Sequence, residues 1–175
     1  MLIILEGPDG AGKSTMVQEL ALALWRAGRG TVLINPKRSP NQSVRMEYMI
    51  RLDFYRPRSG LDLILDRCWY SDDVYGPIWR GTGLEEGLRL ELDSWADWRG
   101  AVVARLDTSD KVLADRLTAR GDPDVTPEDI AIYAQRYREQ APSWGLETLL
   151  NPTVEELILR AEQRESVAKR APLRQ

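Results

Sequence analysis

Histidine is absent from this 175-residue sequence, and cysteine and phenylalanine occur once each, as Cys68 and Phe54. Without histidine the commonest general base is missing, so any proton transfer falls to carboxylates or needs little help. A lone cysteine cannot form an internal disulfide, and no cysteine–histidine cluster exists to hold zinc. A basic excess is missing too. The 24 Lys and Arg stand against 27 Asp and Glu, a net charge of −3, which argues against a nucleic-acid-binding surface. A local basic pocket for a small anion is still compatible with that balance. Long apolar runs are also lacking: the opening MLIILEG is far too short for a signal peptide or a membrane span, and no later stretch exceeds it. These absences predict a cytoplasmic, reduced protein with neither a nucleic-acid nor a membrane partner. No repeat, low-complexity tract or linker divides the chain, so residues 1–175 read as one domain. The closing RESVAKRAPLRQ reads as a fraying helix and a solvated tail.

Short apolar runs alternate with longer amphipathic ones. LIILE (Leu2–Glu6), TVLI (Thr31–Ile34), LDLILD (Leu61–Asp66) and AVVARLD (Ala101–Asp107) read as strands, with LETLL (Leu146–Leu150) a weaker fifth. The nearly unbroken apolar character of the first three predicts burial on both faces, as in a parallel sheet. Between them, Val17, Leu20, Ala21 and Leu24 repeat at i, i+3, i+4, i+7, and Gly28 marks a stop. Leu84, Leu88, Leu92 and Trp95 make a second stripe. Val154, Leu157, Ile158 and Ala161 make a third after NPT, with Asn151 or Thr153 as its cap. All three stripes read as core packing. The alternation predicts an α/β fold with right-handed crossovers.

GPDGAGKST, Gly7 to Thr15, matches G-x-x-x-x-G-K-[ST] without a gap. Gly7, Gly10, Ala11 and Gly12 let successive backbone N–H groups converge on phosphate oxygens, and the helix N-terminus beyond adds partial positive charge. Lys13 can reach β- and γ-phosphates, and the Ser14 hydroxyl can ligate Mg²⁺, with Thr15 following in the first turn. A buried-looking strand before the loop and an amphipathic helix after it are the context this motif requires. One residue runs against the pattern, because Asp9 places a carboxylate inside an anion-binding loop. Asp-Gly is good turn chemistry, but a neutral Asn or Ser would turn as well without like-charge repulsion of about 2 kcal/mol at ~8 Å. The guanine-reading tetrapeptide Asn-Lys-x-Asp of GTPases does not occur, and the chain is too short for a large motor ATPase. A small-molecule or nucleotide kinase fits the length.

A second motif, LDLILDRCWYSDDVYG, ends a strand on Asp66-Arg67 and continues into Ser71, Asp72 and Tyr75. A carboxylate at a strand's C-terminal end stands at the ligand-binding edge of an open α/β sheet, where it can hold Mg²⁺ through water. The adjacent arginine can fork onto a phosphate. The bland alternative is an ion pair that caps the strand.

With EGPDGAGKST at 6–15 and DRCWYS at 66–71, the sequence resembles the thymidylate kinase family of P-loop nucleoside monophosphate kinases, including compact phage-type members. DKVLADRLTARGD (Asp110–Asp122) and EDIAIYAQRYREQ (Glu128–Gln140) are similar to that family's lid and flanking helices, the lid itself falling at about residues 119–129. The resemblance implies a three-layer P-loop kinase fold with a mostly parallel five-stranded sheet, and a homodimer, since family members are often dimers. It implies ATP and Mg²⁺ as cofactors and a deoxynucleoside monophosphate, with dTMP the leading choice, as acceptor. By the same resemblance Asp9 faces the acceptor sugar, Arg67 binds the acceptor phosphate, and Asp66 supports the Mg²⁺ site with Ser14. Ser71, Asp72 and Tyr75 line the acceptor pocket, Tyr75 favouring deoxyribose. Arg116 packs on the donor adenine, and Arg120 reaches toward the transferring phosphate.

The chain also departs from the family. Asn35-Pro36-Lys37-Arg38 replaces the usual Phe-Pro-Arg, leaving Lys37 or Arg38 for the acceptor phosphate. The lid is poor in arginine, with Arg136 and Arg138 on the next helix as substitutes. Asp72 stands where an amide is common, and an ionised carboxylate only accepts hydrogen bonds, which favours a base edge rich in N–H. Tyr48, Phe54 and Tyr55 are candidates for stacking on the base. The expected activity is ATP-dependent conversion of a deoxynucleoside monophosphate to its diphosphate. The rivals are a deoxynucleoside kinase of the same fold and a non-catalytic nucleotide-binding switch.

Overall fold

The structure, a computed structural model, describes residues 1–35, 61–121 and 126–170. Five strands form one sheet: β1 (Leu2–Glu6), β2 (Thr31–Ile34), β3 (Asp62–Asp66), β4 (Val102–Arg105) and β5 (Thr148–Leu150). Their spatial order is β2-β3-β1-β4-β5, and every pairing is parallel. Among the described residues six α-helices connect them: α1 (Lys13–Arg26), α2 (Trp69–Trp79), α3 (Glu86–Trp98), α4 (Asp110–Arg120), α5 (Pro127–Gln140) and α6 (Val154–Arg170). The expected α/β fold with its five-stranded parallel sheet is present, with two corrections in detail. β4 is shorter than the apolar run that encodes it. β2 is an edge strand that leaves Leu33 53% exposed, so its apolar run does not mean burial on both faces.

Period-two alternation in β1 divides the interior into two layers. Leu2 and Ile4 pack with Leu63, Leu65 and Val103 beneath α2, α3 and α5, where Trp69, Tyr70, Leu92, Ala96 and Tyr137 close the layer. Ile3 and Leu5 point the other way and meet Leu20 and Leu24 of α1 and Leu157 and Ala161 of α6. The three stripes read from the sequence therefore do pack as core. A smaller cluster of Leu113, Leu117, Ile130 and Ala134 fastens α4 to α5. Thr153, not Asn151, caps α6: its Oγ1 accepts from Glu156 N at 3.2 Å, and Glu156 Oε2 accepts from Thr153 N at 2.8 Å. No described helix is long and apolar enough to cross a membrane.

This topology positions the site. β1 lies in the middle, and the chain crosses to β2 and β3 on one side before passing over to β4 and β5 on the other. The C-terminal end of β1 is therefore the switch point, the place where open parallel sheets present a crevice. The Gly7–Thr15 loop begins there.

Candidate active site

β1 ends on Glu6, and Gly7 follows with φ 138°. A Cβ at Gly7 would stand 2.1 Å from the Leu106 carbonyl oxygen, so only glycine lets the loop leave alongside the end of β4. The loop then turns into α1, whose first turn exposes Ser14 and Thr15. Unpaired N–H groups and the helix dipole make that turn favourable for an anion. Lys13 is nearly buried, and its Nζ donates to the carbonyls of Gly7 and Pro8, each at 2.7 Å. Burial, with the Arg67 guanidinium nearby, pushes its ammonium down to about 7 although Asp9, Glu6 and Asp66 pull the other way.

On the β3 side of the loop stands Arg67, which holds a left-handed backbone at φ 74°. Such a conformation is uncommon for a side chain of this size and costs on the order of 1–2 kcal/mol. It sends the guanidinium back over the loop. Arg67 Nη2 donates to Asp9 Oδ1 at 2.6 Å, and Nη1 donates to the hydroxyls of Tyr137 at 2.8 Å and Tyr75 at 3.2 Å. Nη1 also reaches the Gly7 carbonyl at 3.2 Å and Ser71 Oγ at 3.4 Å, and the guanidinium carbon sits 5.1 Å from the Tyr75 ring centre. Burial would by itself lower the proton affinity of Arg67, but the phenols and carboxylates around it more than offset this, and it stays charged. Asp9 is the mirror case. Burial raises its carboxyl, yet Arg67, Lys13 and the Tyr75 hydroxyl outweigh burial and hold it below the usual range.

Beneath Arg67 lies a layer that sequence reasoning missed. Glu6 is fully buried and accepts from Cys68 N and Ser71 Oγ, both at 2.7 Å, and from Tyr137 Oη at 3.2 Å. Ser71 Oγ and Tyr137 Oη are themselves 2.8 Å apart. Burial pushes the Glu6 carboxyl up, against the pull of Arg67 and its donors. Tyr137 belongs to α5, seventy residues from Arg67, and nothing local in the sequence pairs the two.

At the end of β3, Asp66 Oδ2 accepts from Asn35 Nδ2 at 3.1 Å, while Oδ1 is buried without a hydrogen-bond partner. No group of three or more carboxylate, thiolate or imidazole side chains that could hold a metal ion exists among the described residues. A cation bound here would take Asp66 and the Ser14 hydroxyl, with phosphate and water completing its shell. The orphaned oxygen and the hard-oxygen donors fit Mg²⁺ in that role.

On the β4–β5 side a cavity of about 470 Å³ opens, lined by Gly10, Gly12, Thr15, Arg116, Arg120 and Asn151 among others. Arg116 Nη1 donates to the Gly10 carbonyl at 2.7 Å, tying α4 to the loop. The far wall comes from the turn after β5, another contribution the sequence did not disclose. Asn151 there has φ 46°, and its Oδ1 accepts from Asp107 N at 2.8 Å.

Arg138, expected as a substitute for a lid arginine, is engaged by carboxylates in this structure. Its guanidinium forks onto Asp107 at 2.9 and 3.0 Å, pairs with Asp110 at 2.9 Å and donates to the Thr108 carbonyl at 2.9 Å, fastening α5 to the end of β4. Arg136 is half-buried on the same helix. Asp72 lies next to Ser71 and pairs with Arg80 at 2.9 Å. Lys37, Arg38, Tyr48, Phe54 and Tyr55, and lid residues 122–125, lie outside the described residues.

A Gly-x-x-x-x-Gly-Lys-Ser loop at the switch point, with a ligand-sized cavity on one side and a partly buried arginine cluster on the other, defines a P-loop protein of the nucleotide-kinase class. Comparison with known proteins agrees. The chain belongs to the family of the SPbeta prophage-derived uncharacterized protein YorR of Bacillus subtilis (strain 168), with which it is 30% identical over 148 residues, 84% of this chain and 86% of that protein. The solved structure of YorR, in complex with phosphorylated GDP, matches with a TM-score of 0.70 at 25% identity over 97% of this chain and 96% of that one. A thymidylate kinase of Xylella fastidiosa (strain 9a5c) is 29% identical over 108 residues, 61% of this chain, which spans about half (51%) of that protein's length. Deoxyadenosine kinase from M. mycoides with bound dATP shares the fold, at a TM-score of 0.55 and 15% identity, over 93% of this chain and 98% of that one. No protein-family model matches the chain.

Proposed function

We propose that this protein is an ATP-dependent, Mg²⁺-requiring kinase that converts a deoxynucleoside monophosphate to its diphosphate. The observation that carries the proposal is the two-sided loop: the Arg116–Asn151 cavity lies on its β4 side and the Asp9–Arg67 pair on its β3 side. A donor nucleotide occupies the cavity with its phosphates in the loop, against the N–H groups of α1 and the Lys13 ammonium. The acceptor approaches from the Arg67 side, its phosphate drawn to that guanidinium and its sugar hydroxyl to the Asp9 carboxylate. Tyr75 stands against the sugar. Mg²⁺, when bound by Ser14 and Asp66, neutralises phosphate charge. The nucleotide in the YorR complex and the thymidylate kinase relative support a nucleotide substrate in this fold.

The chemistry suits a protein without histidine. An oxygen of the acceptor phosphate, already ionised, forms the new bond to the donor γ-phosphorus. The bond from that phosphorus to the β–γ bridging oxygen breaks, and ADP carries away the electron pair. No proton needs to be removed from the nucleophile, so the residues align the two nucleotides and compensate spreading negative charge. Arg120, which lines the cavity, contributes from the lid side. A nucleoside kinase would instead want a carboxylate free to take a hydroxyl proton. Of the described carboxylates beside the loop, Glu6 is sealed by three donors, Asp9 is held by Arg67, and Asp66, whose Oδ1 has no partner, is taken here by the cation.

Purified protein with ATP, Mg²⁺ and a panel of nucleosides and nucleoside monophosphates tests the reading. Diphosphates formed from monophosphates alone support it. Turnover of nucleosides would move the protein to the rival class, and nucleotide binding with no turnover of any acceptor would make it a switch.

A further inference from the structure

The Glu6 carboxylate is fully buried, and each group it holds adjoins or touches Arg67. Alternation along β1 puts Glu6 on the face of Leu2 and Ile4, beneath α2 and α5, where an apolar side chain would close the layer. A carboxylate there does what leucine could not. Arg67 N donates to the Leu5 carbonyl at 2.9 Å, and the next N–H, that of Cys68, donates to Glu6 Oε1 at 2.7 Å. The peptide groups on both sides of the left-handed Arg67 are thereby fixed. Glu6 Oε2 accepts from Ser71 Oγ at 2.7 Å and from Tyr137 Oη at 3.2 Å. A phenol carries one proton. With that proton turned to Glu6, a lone pair of Tyr137 Oη faces Arg67 Nη1, which donates to it at 2.8 Å.

We propose that Glu6 is a positioning residue for acceptor binding: it fixes the backbone and the hydroxyl lone pairs that aim the Arg67 guanidinium at the acceptor phosphate. This rests on the acceptor site assigned above. All three groups that meet the carboxylate are donors, and an ionised carboxylate only accepts. A glutamine of the same shape brings an NH2 group, which must face either the Cys68 N–H or the two hydroxyls. In the first case the turn at Arg67 loses its anchor. In the second the Tyr137 proton is driven toward Arg67 Nη1, and two donors oppose each other. A Glu6 that served only as a counter-charge would act in the opposite direction, because removing a negative charge near Arg67 favours an incoming anion. The sign of the effect therefore separates positioning from charge.

The test is calorimetry of dAMP, dCMP, dGMP and dTMP binding to the purified protein and its variants, each checked for folding by circular dichroism. Glu6→Gln should weaken the best-bound monophosphate at least about tenfold, the scale of a hydrogen bond to a charged group. Glu6→Asp, which keeps the charge and shortens the reach by a methylene, should weaken it at least about threefold. Combined with Tyr137→Phe, Glu6→Gln should cost at least about threefold less than the product of the two separate losses, since both act through one hydroxyl. A core residue with no hold on Arg67 would give losses that multiply. Unchanged or tighter binding by Glu6→Gln, or losses that multiply, overturns the assignment. Failure of both Glu6 variants to fold makes Glu6 a folding residue only and overturns it as well. Arg67→Lys keeps the two readings apart. If it binds monophosphates as the wild type does, the acceptor site itself is misplaced; if it loses affinity and Glu6→Gln does not, only the positioning role falls. A wild type that binds none of the four removes both.

Discussion

Lys13 is held by its own loop. Its Nζ donates to the carbonyl oxygens of Gly7 and Pro8, and burial, with Arg67 nearby, lowers its ammonium to about 7. Donor phosphates would add negative charge around it and raise that value, so binding should draw in a proton. Above pH 7 affinity should then fall as pH rises, by up to about one decade per unit until the pKa of the complex is reached. Calorimetry of ATP binding at pH 8 in buffers of different ionisation enthalpy should show net proton uptake in the wild type and none in Lys13→Met. The Arg67 cluster yields a second residue-scale expectation. Tyr137→Phe deletes a hydroxyl that accepts from Arg67 and touches Ser71 and Glu6. Hydrogen bonds to charged groups contribute roughly 1.5–3 kcal/mol, so KM for the acceptor monophosphate should rise about tenfold or more while KM for ATP stays within about twofold. Steady-state kinetics with each substrate varied separately checks this. At this scale the sequence disclosed what is contiguous. Gly7 to Thr15 and Asp66-Arg67 are short motifs whose backbone geometry is local. Glu6 and Tyr137 were silent because their role exists only once β1, β3 and α5 meet. Asp9, puzzling as a charge in an anion loop, is explained by Arg67, a partner fifty-eight residues away.

Among elements, the helix that carries Ser71, Asp72 and Tyr75 is braced from behind. Asp93 of α3 is buried and accepts from Trp69 Nε1 at 2.7 Å and from Tyr70 Oη at 2.6 Å, both on α2. Tyr70 also stacks on Trp144 at 4.5 Å between ring centres. Removing the carboxylate strands two buried donors, each costing about 1–3 kcal/mol. Asp93→Ala should therefore lower stability by about 2–5 kcal/mol in urea unfolding, with little change in the steepness of the transition. Strand and helix positions were largely legible because apolar spacing at periods of 2 and 3.6 is a local signal. Exposure was less so. TVLI looks like a central strand, but strand order, which no local pattern encodes, puts β2 at the edge. Arg138 likewise looked like a free cation on a helix face and is instead the clamp between α5 and the end of β4.

For the whole molecule, the sheet order puts the Gly7–Thr15 loop, Asp66 and Arg67 at one rim and leaves the opposite rim to hold the fold together. There Asp62 accepts from Arg29 Nε at 2.5 Å and Nη2 at 2.8 Å and from the Met1 amino group at 2.7 Å. Burial would raise the Asp62 carboxyl, but Arg29 and the amino terminus outweigh it and hold the folded value below the ordinary one. A depressed folded pKa gives stability that is fully present above the unfolded value of about 3.9 and lost as pH falls through the folded one. The urea midpoint of Asp62→Asn should lie below the wild type at pH 7, and the gap should close as pH drops below about 4. A gap constant down to pH 2 would contradict the assignment. At the functional rim the central claim is that donor and acceptor sit on opposite sides of one loop. The most direct measurement is the affinity for a single molecule that spans both, adenosine joined through a pentaphosphate to a deoxynucleoside, compared with ATP by calorimetry. Simultaneous engagement of two sites should tighten binding by about a hundredfold or more over ATP, and Asp9→Asn should remove much of that gain while leaving ATP affinity in place. A spanning molecule that binds no tighter than ATP would contradict the two-sided site.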